Sequence, residues 1–167
     1  DSGRDQGVNN PEYLEEVERF ARWYESQPEV VRVMALTDVI KRLNKNLNGD
    51  DPAAYRVPTS ADAVAQFLLL YELSLPQGMG LDTTIDVARS TSQFIVFVKR
   101  TDSQRLLELD ERAREWAAGN LTSASVGEGT GVDMVCAHIN HRNIRGLLQG
   151  MWFALVFISL LLIGVLR

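Results

Sequence analysis

Leu14, Val17, Ala21 and Tyr24 keep the spacing that lines one face of an α-helix, while Glu15, Glu18, Arg19, Arg22 and Glu25 fill the other face. Asn10 is a good N-cap and Pro11 suits the first helical position, so the pattern predicts a helix from Pro11 that stops near Gln27-Pro28. The β-branched run EVVRVMAL (29–36) then predicts a short strand. Thr37-Asp38 can cap a second helix, DVIKRLNKNLN, with Val39, Ile40, Leu43 and Leu47 on one side and Gly49 as its stop.

The segment 61–75, ADAVAQFLLLYELSL, follows a cap at Ser60 and ends at Pro76. Past Ala63 it is apolar nearly all round, and at 15 residues it is too short to cross a bilayer. Such a helix is either buried on most sides or set in a hydrophobic interface. Phe67, Leu69, Leu70 and Leu73 are therefore candidates for a hydrophobic path or a subdomain interface. QGMGLDTT reads as a turn, and TIDVA (84–88) and QFIVFVK (93–99) as two strands. Phe94, Val96 and Val98 alternate with Ile95 and Phe97, so both faces of the second strand are apolar and a central, doubly covered strand is expected. Helix 103–118 follows, capped by Asp102 or Ser103, with Leu106, Leu109, Ala113 and Trp116 inward and Gly119 at its end. LTSASVGEGTG predicts a last strand running into a glycine turn, and from about Val132 the chain reads as helix.

This order predicts an α+β fold with a ferredoxin-like, split βαβ layout and a helical insertion at about 38–76. The layout lacks its first strand, which would lie before residue 1; the chain reads as a piece of something longer.

From Leu147 to Leu166 there are 20 residues without a charge, 13 of them Leu, Ile, Val or Phe. As a helix they rise about 30 Å, the thickness of a bilayer core. The expectation is one transmembrane helix over 147–166, preceded by a membrane-proximal helix over 132–146 and an α+β domain over 1–131. Trp152, Arg142, Arg145 and Arg167 would be its membrane-interface anchors, and the arginines on both sides leave the orientation open.

Charge narrows the partners. The chain holds 17 basic and 22 acidic residues, and only Arg167 lies beyond the start of the expected span, which leaves a net charge of −6 over 1–145. An acidic domain of this kind is a poor match for nucleic acid, whose phosphates need a basic face. The single cysteine, Cys136, excludes an internal disulfide. GEGTG (127–131) lacks the Gly-Lys-Ser/Thr of a P-loop and the GxGxxG spacing, so it reads as a turn. In CAHINH, His138 and His141 share a helix face but Cys136 does not, and two ligands do not close a zinc site. NLT (120–122) has the pattern of a glycosylation sequon. No GxSxG elbow is present and no catalytic constellation stands out, so neither an enzyme nor a cofactor or metal is expected.

Three blocks in register, LTDVIKRLNKNLNGDDPAAYRVP, AQFLLLYELSLPQGMGLD and GTG…AHINHRNI before the uncharged run, resemble resistance–nodulation–division (RND) exporters of the MMPL type over about residues 9 to 167. The resemblance implies part of an extracytoplasmic porter domain plus the following transmembrane helix, of a proton-driven exporter of lipids or other hydrophobic compounds. It implies a bacterial inner (cell) membrane, with the domain on the periplasmic side. Implied partners are the lipid bilayer, the remaining helices and porter subdomains, the hydrophobic cargo and a homo-oligomer. The proton relay would lie outside this chain, because 147–166 has no Asp, Glu, His or Lys. The alternative is a small tail-anchored protein that serves as an interaction or assembly module.

Overall fold

A computed structural model describes residues 1–76, 81 and 84–166, with the side chains at 140–145, 160, 161 and 163–166 outside the description. The elements are α1 (Pro11–Glu25), β1 (Val30–Ala35), α2 (Leu36–Leu47), α3 (Ala61–Ser74), β2 (Phe94–Val98), α4 (Ser103–Asn120) and α5 (Val132–Leu166), with short 3-10 turns at Gly7–Asn9 and Pro52–Ala54. The chain divides into two compact units, one of residues 1–100 and 113–127, the other of 101–112 and 128–167.

In the first unit, α1 begins as its cap predicts: the Asn10 side chain accepts a hydrogen bond from the Glu12 amide at 3.0 Å. Its Tyr13, Leu14 and Val17 enter a core shared with Ala35, Leu36 and Ile40, and with Val64 and Leu68 of α3. Further along, Phe20 stacks on Trp116 of α4 at 5.7 Å and lies 5.1 Å from Phe94 of β2. α2 starts earlier than Thr37-Asp38 suggests. Its cap position is Ala35, and the Asp38 carboxylate reaches back to accept from the Ala35 amide at 3.2 Å. Gly49 ends it in the left-handed region, at φ 71°.

The sheet differs from the expected one. Among the described residues it has two strands, β1 and β2, paired antiparallel with Val33 opposite Val96 and Met34 opposite Ile95, and an irregularity between Val30 and Arg32. Among the described residues the expected ferredoxin-like sheet is therefore not formed. Segment 84–88 contributes only an isolated bridge from Ile85 to Ser92, and residues 121–127 form no strand. The reason in 84–88 is Asp86. Its carboxylate accepts from the Ser90 amide at 2.7 Å, the Ser90 hydroxyl at 2.8 Å and the Thr91 amide at 2.6 Å, which wraps the chain into a turn. That turn in turn receives the start of the chain: the amides of Ser2, Gln6 and Val8 donate to the carbonyls of Ser90, Ala88 and Arg89. β2 is not doubly covered either, since Ile95 and Phe97 stand exposed.

In the second unit, Asp102 caps α4 by accepting from the Arg105 amide at 2.9 Å. The helix continues through Gly119 to Asn120, past the expected stop. α5 is one continuous helix of 35 residues from Val132. The expected transmembrane helix over 147–166 is not supported: among the described residues no helix is long and apolar enough to cross a membrane. The uncharged run of α5 begins at Gly146. Leu147, Trp152, Phe153 and Phe157 of this run stand exposed.

The turn expected over 77–84 falls largely outside the described residues.

Candidate functional site

α3 carries the residues singled out for an interface, and the structure divides them by face. Val64 and Leu68, one turn apart, are fully buried and hold the helix on the core. Leu69, Leu70 and Leu73 point outward with relative exposures of 51%, 49% and 74%, and Phe67 is half-buried. Of the two expectations for α3, burial on most sides is not met: the helix is buried on one stripe and presents leucines to its surroundings. The patch has a fixed edge, where the Arg89 guanidinium donates to Glu72 at 3.1 Å. Arg89 sits in the left-handed region at φ 53°, in the Asp86 turn.

An open groove of about 770 Å³ runs along α1 in the same unit, lined by Glu12, Glu15, Glu18, Arg22, Lys41 and Arg56 among others. Two of its charges, Lys41 and Glu18, are committed to each other. The Lys41 ammonium bonds both carboxylate oxygens of Glu18 at 2.8 and 2.9 Å, lies 3.4 Å from Asp38 and sits 5.3 Å from the centre of the Tyr55 ring. Burial pulls the Lys41 pKa down, but the hydrogen bond and charge of Glu18, with Asp38 and Tyr55, outweigh it and the net shift is upward. A lysine held this way is a structural cation, not a nucleophile.

Glu16, at the edge of the same groove, is a densely bonded carboxylate. It is 4% exposed. It accepts from the Thr122 amide and hydroxyl at 2.9 and 2.8 Å, and from the Ser123 and Ala124 amides at 2.9 Å each. Burial raises its pKa, yet the bonds from Thr122, Ser123 and Ala124 together more than reverse this, and the pKa is lowered. With its lone pairs occupied, the carboxylate serves as a latch for residues 122–124 rather than as a base. Two side chains of the NLT triplet are engaged within the fold. The Thr122 hydroxyl is spent on Glu16, and the Asn120 side chain donates to the Trp116 carbonyl at 2.8 Å.

In the second unit the GEGTG segment is occupied in a similar way. The Gly129 amide donates to the buried Asp110 carboxylate at 2.8 Å, and a Cβ on Gly129 would meet Asp110 Oδ1 at 2.6 Å. A loop that already binds a carboxylate of its own chain has no amide at that position for a phosphate. Cys136 and His138 are exposed on α5, and no metal-holding group of three or more His, Cys, Asp or Glu exists among the described residues. Of the expected anchors, Trp152 is exposed. The side chains of His141, Arg142 and Arg145, and all of Arg167, lie outside the described residues.

Compared with known proteins, the chain matches no family model, no curated relative and no solved structure. Nothing in these comparisons identifies an RND or MMPL exporter.

Proposed function

We propose that this chain is a protein-assembly module. It works by docking apolar faces onto other protein parts, not by chemistry on a substrate. The observation that carries this reading is the outward leucine face of α3, Leu69, Leu70 and Leu73, on a helix whose opposite stripe is locked into the core. Exposed apolar residues grouped on one rigid element mark an interaction site more often than chance surface leucines do. The exposed apolar run of α5 supports the same reading, because it too needs an apolar neighbour.

Leu69→Asp and Leu73→Asp test the proposal. Both side chains are already exposed, so the fold should melt within about 0.5 kcal/mol of wild type. The native complex containing the chain, sized in extracts of the source cells, should collapse to a smaller species. A complex of unchanged size in both variants removes α3 as the docking face. Unfolding of either variant would return the helix to a core role.

A narrower form of the proposal makes the docked parts the remaining subdomains of one larger exporter polypeptide. It is supported by the three sequence blocks alone. An antibody to residues 1–127 decides it on a denaturing blot: a band several times heavier than the 18.7 kDa chain favours it, and a band near that mass ends it.

A further inference from the structure

The outer face of the two-stranded sheet is a second apolar surface. Arg32 lies opposite Phe97 and Met34 opposite Ile95, so these four side chains share one face. The other face, with Val33, Ala35 and Phe94, is closed by α1 through Phe20 and Tyr24. All four outer residues are exposed, as is Val31 at the irregularity. Two strands with one bare apolar face gain stability from a further covering layer.

The face has one charge. Neither strand contains Asp or Glu, and Arg32 makes no ion pair among the described residues. The two residues that follow β2, Lys99 and Arg100, are also cationic, and the one acid next to the strands, Glu29 before β1, is half-buried and already engaged. Two copies of this face laid against each other would bring two Arg32 guanidinium groups into one apolar interface without a counter-charge. Burying unpaired charge in that way is strongly unfavourable. The charge pattern therefore argues against a second copy and for a complementary surface.

We infer that the outer sheet face, Arg32, Met34, Ile95 and Phe97, docks a segment of a different protein part whose apolar side chains surround one Asp or Glu that pairs with Arg32. The inference rests on the assembly reading and names the chemistry of one partner. A planar guanidinium framed by apolar side chains gives a carboxylate a two-point contact sheltered from water, which fixes register as well as attraction.

The test replaces Phe97 in the full chain with p-benzoylphenylalanine and maps, in the source cells, the peptide that photocrosslinks to it. The expected result is one peptide with an acidic residue among apolar ones. Its yield should fall about tenfold or more in Arg32→Glu and Arg32→Gln but only modestly in Arg32→Lys. Exchanging the partner's acidic residue for Lys should recover the yield in Arg32→Glu. Crosslinks to a second copy of this chain, to lipid, or spread over unrelated proteins would overturn the inference. So would a yield indifferent to Arg32 in variants that melt like wild type. The same photocrosslinker at Leu73 separates the two readings. A defined partner at Leu73 with none at Phe97 sinks only the sheet inference, and none at either position sinks the assembly reading as well.

Discussion

Removing the Glu16 carboxylate should loosen the attachment of residues 122–124 to α1, and the size of the effect follows from its bonds. Three amides and one hydroxyl converge on its two oxygens at 2.8–3.1 Å. A hydrogen bond to a charged partner contributes about 1.5–3 kcal/mol when its loss leaves the other group unsatisfied. Thr122 is exposed and Ser123 and Ala124 are only half-buried, so water will replace part of the loss. Glu16→Ala should therefore cost about 2–4 kcal/mol, well below the sum of separate bonds. Glu16→Gln is the sharper variant. It keeps the volume but turns one acceptor oxygen into an NH2 that faces amide donors. We expect it to cost nearly as much, about 2–3 kcal/mol.

pH supplies an independent check. The folded pKa of Glu16 is lowered, so its contribution is fully present above the unfolded value near 4.5 and is lost as pH falls through the folded value. The gap between wild type and Glu16→Gln should be constant at neutral pH and shrink below about pH 4.5. Urea unfolding followed by fluorescence of Trp23 and Trp116, which lie in the same unit, measures both effects. Variants within about 0.5 kcal/mol of wild type would refute the latch. A gap that does not narrow in acid would show that the carboxylate charge is not what holds residues 122–124.

Thr37 is 1% exposed and its hydroxyl finds no partner among the described residues, so Thr37→Val should raise stability by about 1 kcal/mol, read as a higher urea midpoint. Leu68→Ala should cost about 2–5 kcal/mol because Leu68 is fully buried, whereas Leu73→Ala should change the same midpoint by less than about 0.5 kcal/mol; equal losses would mean that α3 has no outward face. Gly129→Ala should destabilise by about 1–2 kcal/mol through its clash with Asp110, while Gly127→Ala, which meets nothing within 4 Å, serves as the matched control. Asp86→Ala should speed hydrogen exchange at the Gln6 and Val8 amides, which donate to the turn that Asp86 organises; unchanged exchange there would separate the turn from the segment it holds.

The elements legible in the sequence are those whose signals are local. Asn10 and Pro11 start α1, Gly49 ends α2, and the 14–17–21–24 row faces inward, because caps and helical spacing act within one turn. The Asp86 turn was masked by the alternation of TIDVA, which a strand would also show; the carboxylate competes with the ladder for the same amides. Glu16 left a trace that the charged-face reading passed over. It interrupts the row Tyr13–Glu16–Phe20, whose other members are apolar and buried. A lone acid in a buried helical row demands donors from elsewhere in the chain, here 106–108 residues away. In β2 apolar residues occupy both faces, and hydrophobic pattern alone assigns burial to each of them; in α3 the same pattern left burial and an interface open. The chain supplies cover for only one: α3 seats Val64 and Leu68, and β2 turns Phe94 to α1, while Leu73 and Phe97 remain outside. Residues that the described fold leaves outside are the ones through which the proposed assembly would act. Those positions, where the pattern overstated burial, are the ones at which the search for partners should begin.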